Sequence, residues 1–246
     1  MVETRAGTQE SAHKSNGEGA PFATSLRAEY DPFLLDRGQR ETHARHVEEA
    51  LRSAAIWPRQ PRILDVGCGS GLLLSALGSD ARARVGCDVR RSLFAQVQPP
   101  GVRFVQGAAG NLPFKEGSFD LVICLAVIGE IPDWRTALDD MARCVAPGGV
   151  LYVTVANSRF LLPLYRVAGW LGRAVPASYV AYARACARVQ GAPANGFEAK
   201  RLRTWRYIDV TAHLARGRLP AAAPLWLLRP FTSRFAPSFG FAWQRP

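Results

Sequence analysis

A chain of 246 residues is long enough to close one substantial hydrophobic core, and 48% hydrophobic with 21% charged residues is an ordinary globular composition. No run of 18 apolar residues occurs, which excludes a simple spanning helix. The five cysteines (Cys68, Cys87, Cys124, Cys144, Cys186) show no C-x-x-C spacing, which argues against a zinc ribbon or disulfide framework and fits a reducing cytoplasm; no metal site is expected.

In chain order, the polar opening "MVETRAGTQESAHKSNGEGA" lacks the apolar stretch of a secretory signal and is expected to be a disordered tail over residues 1–20. "EYDPFLLDRGQRETHARHVEEALRSAA" has helical spacing, with Val47, Ala50, Leu51 and Ala54 on one face, and Trp57-Pro58 and Pro61 end it. Strands are predicted at 62–66, 83–89, 102–108, 119–127 and 150–156, with helices near 70–78 and 134–146, the second ending at the Pro-Gly-Gly of 147–149. Strands apolar along their length and separated by helices predict an α/β fold: a doubly wound, mostly parallel sheet with helices on both faces. Past residue 157 the pattern becomes irregular, which predicts a helical insertion, and "PSFGFAWQRP" supplies a candidate last strand.

Charge divides the chain unevenly. Residues 1–158 carry 17 Lys+Arg against 18 Asp+Glu, whereas residues 159–246 carry 14 against two, Glu198 and Asp209. The excess of +12 therefore lies in the last third. It is almost wholly arginine, since Lys14, Lys115 and Lys200 are the only lysines. Such a segment suits an anionic partner or a solvated basic face.

The chemistry concentrates in "ILDVGCGSGLLL", residues 63–74, where a strand runs into Gly67, Gly69 and Gly71. A dinucleotide fingerprint would place its third glycine at position 72, which is Leu72, and no Gly-Lys-Ser/Thr follows to make a P-loop. Asp65 at the strand end would repel a pyrophosphate and attract an ammonium or sulfonium. Asp88 closes the second strand, where a carboxylate accepts from ribose hydroxyls. A cationic amino-acid end with an unphosphorylated ribose describes S-adenosylmethionine better than a nicotinamide dinucleotide.

"ILDVGCGSG", "GCDV", "GAAGNLPFKEGSFDLVICLAVIGEIPD" and "ALDDMARCVAPGGVLYVTV" resemble the successive motifs of class I S-adenosylmethionine-dependent methyltransferases, nearest the branch that holds quinone C-methyltransferases. The resemblance covers about residues 60–157. It implies a Rossmann-like fold and a cofactor shell of Tyr30, Asp65, Gly67, Cys68, Gly69, Gly71, Asp88, Val89, Ala108, Ala109, Leu112 and Cys124. In that shell Asp65 and the glycines line the methionine side, Asp88 the ribose, and the 108–112 turn the adenine. The implied organisation is one domain over 21–246: an N-terminal helical cap (21–57), the cofactor-binding core (60–157), a substrate cap (158–225) and a C-terminal segment (226–246).

Two positions depart from the pattern. Ala108 stands where relatives carry an aspartate for the adenine amino group, a loss on the order of 1 kcal/mol. Glu130 stands where relatives often carry histidine; it could orient or deprotonate a nucleophile, or else make a structural hydrogen bond or a helix-start contact near Pro132-Asp133. Methyl transfer from a sulfonium is an in-line displacement that needs mainly positioning, so the core says little about the acceptor.

Acceptor information is expected in the cap, where Arg203, Trp205, Arg206, Tyr207 and a candidate base, His213, are available. In "NSRFLLPLYRVAGWLGRAVP", Arg159, Arg166 and Arg173 form a stripe opposite Phe160, Leu164, Val167, Trp170 and Leu171, with Pro163 expected in the first turn. "PLWLLRPFTSRF" repeats the theme. Both suit either a packed cap or a helix in a membrane interface.

The expectation is an enzyme methylating O or C of a small-molecule, lipid-linked or anionic acceptor, cytoplasmic and peripheral to an anionic membrane. Nucleic acid is disfavoured, since no Asn-Pro-Pro-aromatic follows strand four. The rival expectations are a catalytically silent cofactor-binding scaffold or regulatory subunit, and an RNA methyltransferase.

Overall fold

In the computed structural model the residues described are 41–189, except 42, 43, 46, 50, 53, 95–97, 173, 174 and 176, together with 198–202 and 238–246. Tyr30, Arg203, Trp205, Arg206, Tyr207, His213, Arg173 and the 224–235 segment lie outside them.

Seven strands form one sheet in the order β3-β2-β1-β4-β5-β7-β6. They are β1 (Arg62–Val66), β2 (Ala83–Asp88), β3 (Val102–Gln106), β4 (Phe119–Leu125), β5 (Val145–Ala156), β6 (Glu198–Leu202) and β7 (Ser238–Gln244). The first five are mutually parallel, and β7 runs antiparallel to both β5 and β6. The chain winds outward from β1 through β2 to β3 and returns to β4, so the order reverses between β1 and β4. A crevice at the carboxyl ends of these two strands follows from that reversal.

The period of two along each strand sends alternate side chains to opposite faces. Leu64, Val122, Cys124, Leu151 and Val153 pack on one side with Ala137, Leu138 and Met141 of α2 (Trp134–Cys144). Ile63, Leu121, Ile123, Val150 and Tyr152 pack on the other with Leu73 and Leu74 of α1 (Leu72–Ala76), and with Val47 and Leu51 of the N-terminal helical segment. Burial on both faces is why these strands read as unbroken apolar runs. The bidentate pair Arg62–Asp120 ties the start of β1 to β4, with Nε to Oδ2 at 2.9 Å and Nη2 to Oδ1 at 2.8 Å.

Several expectations are corrected. The Pro-Gly-Gly does not lie outside the strands: β5 begins at Val145, and the three residues form an irregularity between the Phe119–Val145 and Leu121–Val150 pairs. β6 falls within what read as cap, because its reason for being a strand is pairing with β7, some 40 residues downstream. α3 (Ser158–Trp170) places Pro163 in its second turn, where the missing N–H deprives the Arg159 carbonyl of its helical donor. The face that α3 buries is Leu161, Tyr165 and Ala168, while Val167, Trp170 and Leu171 are exposed. α4 (Ala177–Val189) packs beside α3 and on the short 3-10 turn Ile128–Glu130 that follows β4.

Candidate active site

The glycine loop is strapped to the end of β2. The Gly67 amide donates to the Cys87 carbonyl at 2.7 Å, and the Gly69 amide donates to Asp88 Oδ2 at 3.0 Å. The other carboxylate oxygen of Asp88 accepts from the Arg90 amide at 2.9 Å, with the Arg90 guanidinium 3.6 Å away. Asp88 is therefore a fastener of the loop, and it is 5% exposed.

The three glycines have positive φ of 79°, 55° and 74°, and two of them answer to the protein's own packing. A Cβ on Gly67 would lie 2.5 Å from a Val127 methyl, and one on Gly71 would lie 2.5 Å from the Phe104 ring. Gly67 thus permits a close approach of the loop to the turn after β4.

Asp65, buried at the end of β1, stands one strand away from Asp88. Its field and that of Asp88 act on the neighbouring thiols. Burial first, then Asp65 and Asp88, push Cys68 far up, and burial with Asp88 pushes Cys87 up to about 12. Burial and Asp65 likewise raise fully buried Cys124. These thiols stay neutral, so they are packing groups and not nucleophiles. Two buried acidic side chains, Asp65 and Asp88, stand in this half of the site.

The adjoining turn is built from β3 onward. Gly107 donates to the Asp88 carbonyl at 3.2 Å, Asn111 donates to the Ala108 carbonyl at 3.0 Å, and Val89 is exposed beside them. Ala108 and Gly110 face outward, with Ala109 half-buried. Leu112 is different: its side chain is in the core at 1% exposure and its amide is given to Asp140 of α2. What this stretch can offer a ligand is thus Ala108–Asn111.

A clamp that sequence reasoning missed holds the turn. Arg143 donates to the Phe114 carbonyl at 2.7 Å, to the Leu112 carbonyl at 3.1 Å and to Asp140 at 2.8 Å. The signal was available in the i,i+3 spacing of an acid and an arginine within "ALDDMARC", although that spacing is also common on solvated helix faces.

The far wall comes from the end of β4. Ala126, at φ 57°, donates its amide to Thr154 Oγ1 at 3.0 Å, and the 3-10 turn then carries half-buried Glu130. Gly129 lies so close under α4 that an added Cβ would be 2.7 Å from Cys186 Sγ and 2.8 Å from the Tyr182 ring. Glu130 ends the short turn after β4 on which α4 packs. The neighbouring helix start belongs to Asp133, whose side chain accepts from the Thr136 amide. Glu130 is thus not the group capping α2.

A carboxylate accepts hydrogen bonds and gives none, so Asp65 and Asp88 fit an ammonium or sulfonium and ribose hydroxyls, and oppose a phosphate. Among the described residues no cluster of three His, Cys, Asp or Glu could hold a metal ion. No helix among them is long and apolar enough to cross a membrane.

Residues 64–153, from mid-β1 to mid-β5, match the family described as "Methyltransferase domain". That match spans 90 of the chain's 246 residues. The chain is 29% identical over 113 residues to a ubiquinone biosynthesis O-methyltransferase of Coxiella burnetii, covering 44% of this chain and 48% of that protein. It is 32% identical over 138 residues to a demethylmenaquinone methyltransferase of Corynebacterium efficiens, covering 56% of each. The chain thus spans about half the length of the curated relatives it matches. The methyltransferase fold extends further: the solved N-methyltransferase NodS of Bradyrhizobium japonicum, in complex with S-adenosyl-L-homocysteine, superposes with a TM-score of 0.52 at 18% identity, over 92% of this chain and 98% of that one. That likeness is one of fold.

Proposed function

We propose that the protein transfers a methyl group from S-adenosylmethionine to an oxygen or carbon nucleophile of a small-molecule acceptor. The observation that carries this reading is the pair of buried carboxylates, Asp65 and Asp88, flanking a left-handed glycine loop at the point where the sheet order reverses. When bound, the donor supplies a sulfonium-activated methyl carbon. Asp65 would balance the positive end of the donor, Asp88 would accept from its ribose, and Val89 with Ala108–Gly110 would border its base. Tyr30 is the residue we assign to closing over the methionine end. Glu130, in the turn beneath α4, would orient the acceptor or take its proton, and the α3–α4 pair would keep water from the crevice.

The acceptor is the less constrained half. Two relatives are named for quinone biosynthesis or a demethylmenaquinone, which supports a small, quinone-like acceptor. Another, from Rauvolfia serpentina, is a norajmaline N-methyltransferase, so this core serves more than one methylated atom. The excess arginine of the last third supports an anionic or lipid-linked molecule met at a membrane surface, with Arg203, Trp205, Arg206, Tyr207 and His213 as its contacts.

Titration calorimetry with S-adenosylhomocysteine tests the donor half. Saturable binding is expected, with Asp88→Asn weakening it by about tenfold or more, since one charge-assisted acceptor is lost. Ala108→Asp should leave affinity unchanged or raise it several-fold, on the order of one hydrogen bond. Failure of the wild-type protein to bind at millimolar ligand would overturn the proposal.

A further inference from the structure

α3 is anchored by one edge and bare on another. Leu161, Tyr165 and Ala168, one helical line, are 1%, 8% and 6% exposed. At its C-terminal end Val167, Trp170 and Leu171 are 47%, 87% and 73% exposed. Among the described residues the only other large hydrophobic side chain so exposed is Val89, so this surface apolarity is concentrated within five residues. The end is a defined structure. Leu171 donates to the Val167 carbonyl, and Gly172, at φ 69°, donates to the Gly169 carbonyl and closes the helix.

Along the sequence around α3 and α4 the charge has a single sign. From residue 141 to residue 197 the sequence contains no aspartate or glutamate at all. Over the same span Arg159 and Arg166 of α3, and Arg184 and Arg188 of α4, are exposed. On a surface meant only for water, acids would be interspersed with the arginines.

From these observations we infer that the C-terminal turn of α3 is a membrane wedge: Trp170 and Leu171 enter the interfacial layer of an anionic bilayer, and the arginines of α3 and α4 meet its headgroups. Tryptophan suits that layer because its ring is apolar and its indole N–H remains wet. Three side chains on one turn are too few for a stable protein interface, which needs about 800 Å² from each partner. An RNA site would use the arginines and leave Leu171 and Val167 without purpose. Because α4 rests on the Ile128–Glu130 turn, a wedge here would hold the roof of the proposed acceptor crevice against the bilayer. The wedge is tested without any methyl donor, so its failure and the failure of the methyltransferase reading are separate results.

The experiment is flotation of the full chain with phosphatidylcholine vesicles, with and without phosphatidylglycerol. Binding is expected only to the anionic vesicles at low salt, and should fall as salt screens the headgroups. Trp170→Ser with Leu171→Ser should abolish it while leaving the fold intact, because both side chains are in solvent. Arg166→Glu changes two charge units, and at about fivefold each should weaken binding about 25-fold. Quenching of Trp170 by brominated lipid, read as the signal lost in Trp170→Phe, should accompany binding. Absence of flotation at low salt would overturn the inference. So would flotation that the double substitution leaves unchanged, self-association that depends on Trp170 without vesicle binding, or retention on bulk RNA in place of vesicles.

Discussion

Replacing Arg143 with alanine removes three bonds at once. Its side chain is 23% exposed and its partner Asp140 is 13% exposed, so the pair is sheltered but not dry. The carbonyls of Leu112 and Phe114 lose their charged donor, and Asp140 is left as a poorly solvated anion that still holds the Leu112 amide. Hydrogen bonds to charged groups contribute about 1.5–3 kcal/mol each, and they do not add when one side chain makes them all. Breaking a buried pair costs about 3–5 kcal/mol, and partial exposure places this one near the lower end, at about 3 kcal/mol. That is a large share of a domain's usual margin of about 5–15 kcal/mol. Arg143→Lys keeps the charge but reaches one oxygen at a time, and should recover about half of the loss. Urea unfolding measures the stability, and hydrogen exchange at the Leu112 amide reports on the turn itself. If Arg143→Ala stays within about 0.5 kcal/mol of the parent, the clamp does not hold the turn and the reasoning fails.

Gly67→Ala should destabilise the fold by about 3 kcal/mol, combining about 1–2 kcal/mol for a left-handed alanine with the clash against Val127. Adding Val127→Ala should relieve the clash and leave the backbone cost, so a second site that gives no relief by thermal unfolding would refute the packing account. Asp120 is opposed by burial, yet the Arg62 bonds outweigh it and hold its pKa below the ordinary value. A depressed carboxylate contributes stability above its unfolded pKa of about 3.9 and loses it as pH falls through the lower, folded value. The stability difference between the parent and Asp120→Asn should therefore be full at neutral pH and shrink below about pH 4. A difference that is constant with pH, read from urea midpoints, would contradict that assignment.

Much of the core was legible because a parallel sheet buried on both faces leaves a dense apolar record. β1, β2 and β4 begin where the pattern places them, and the spacing from the glycine loop to Asp88 follows from two adjacent strands ending level. The purpose of each glycine was less legible. Gly67 and Gly71 looked like bare backbone kept for a ligand, and their neighbours Val127 and Phe104 lie far away in sequence. Leu112 looked available for the base for the same reason, since nothing local announces that α2 will claim its amide. β6 was unreadable because its partner strand comes after a long intervening stretch. α3 carries apolar residues around more than one side, so periodicity alone could not choose the Leu161–Tyr165–Ala168 edge over the Val167–Trp170 one.

The ends of β5 and β7 meet as a registered pair, Ala156 opposite Ser238. The sequence between them is tied to the sheet at that pair, while its described elements α3, α4 and β6 stay packed on the core or paired with β7. The remaining stretches of this head can change in length or composition while the pair stays in place. On the proposed reading, a change of acceptor is made at that head while Asp65, Asp88 and the Arg143 clamp stay as they are.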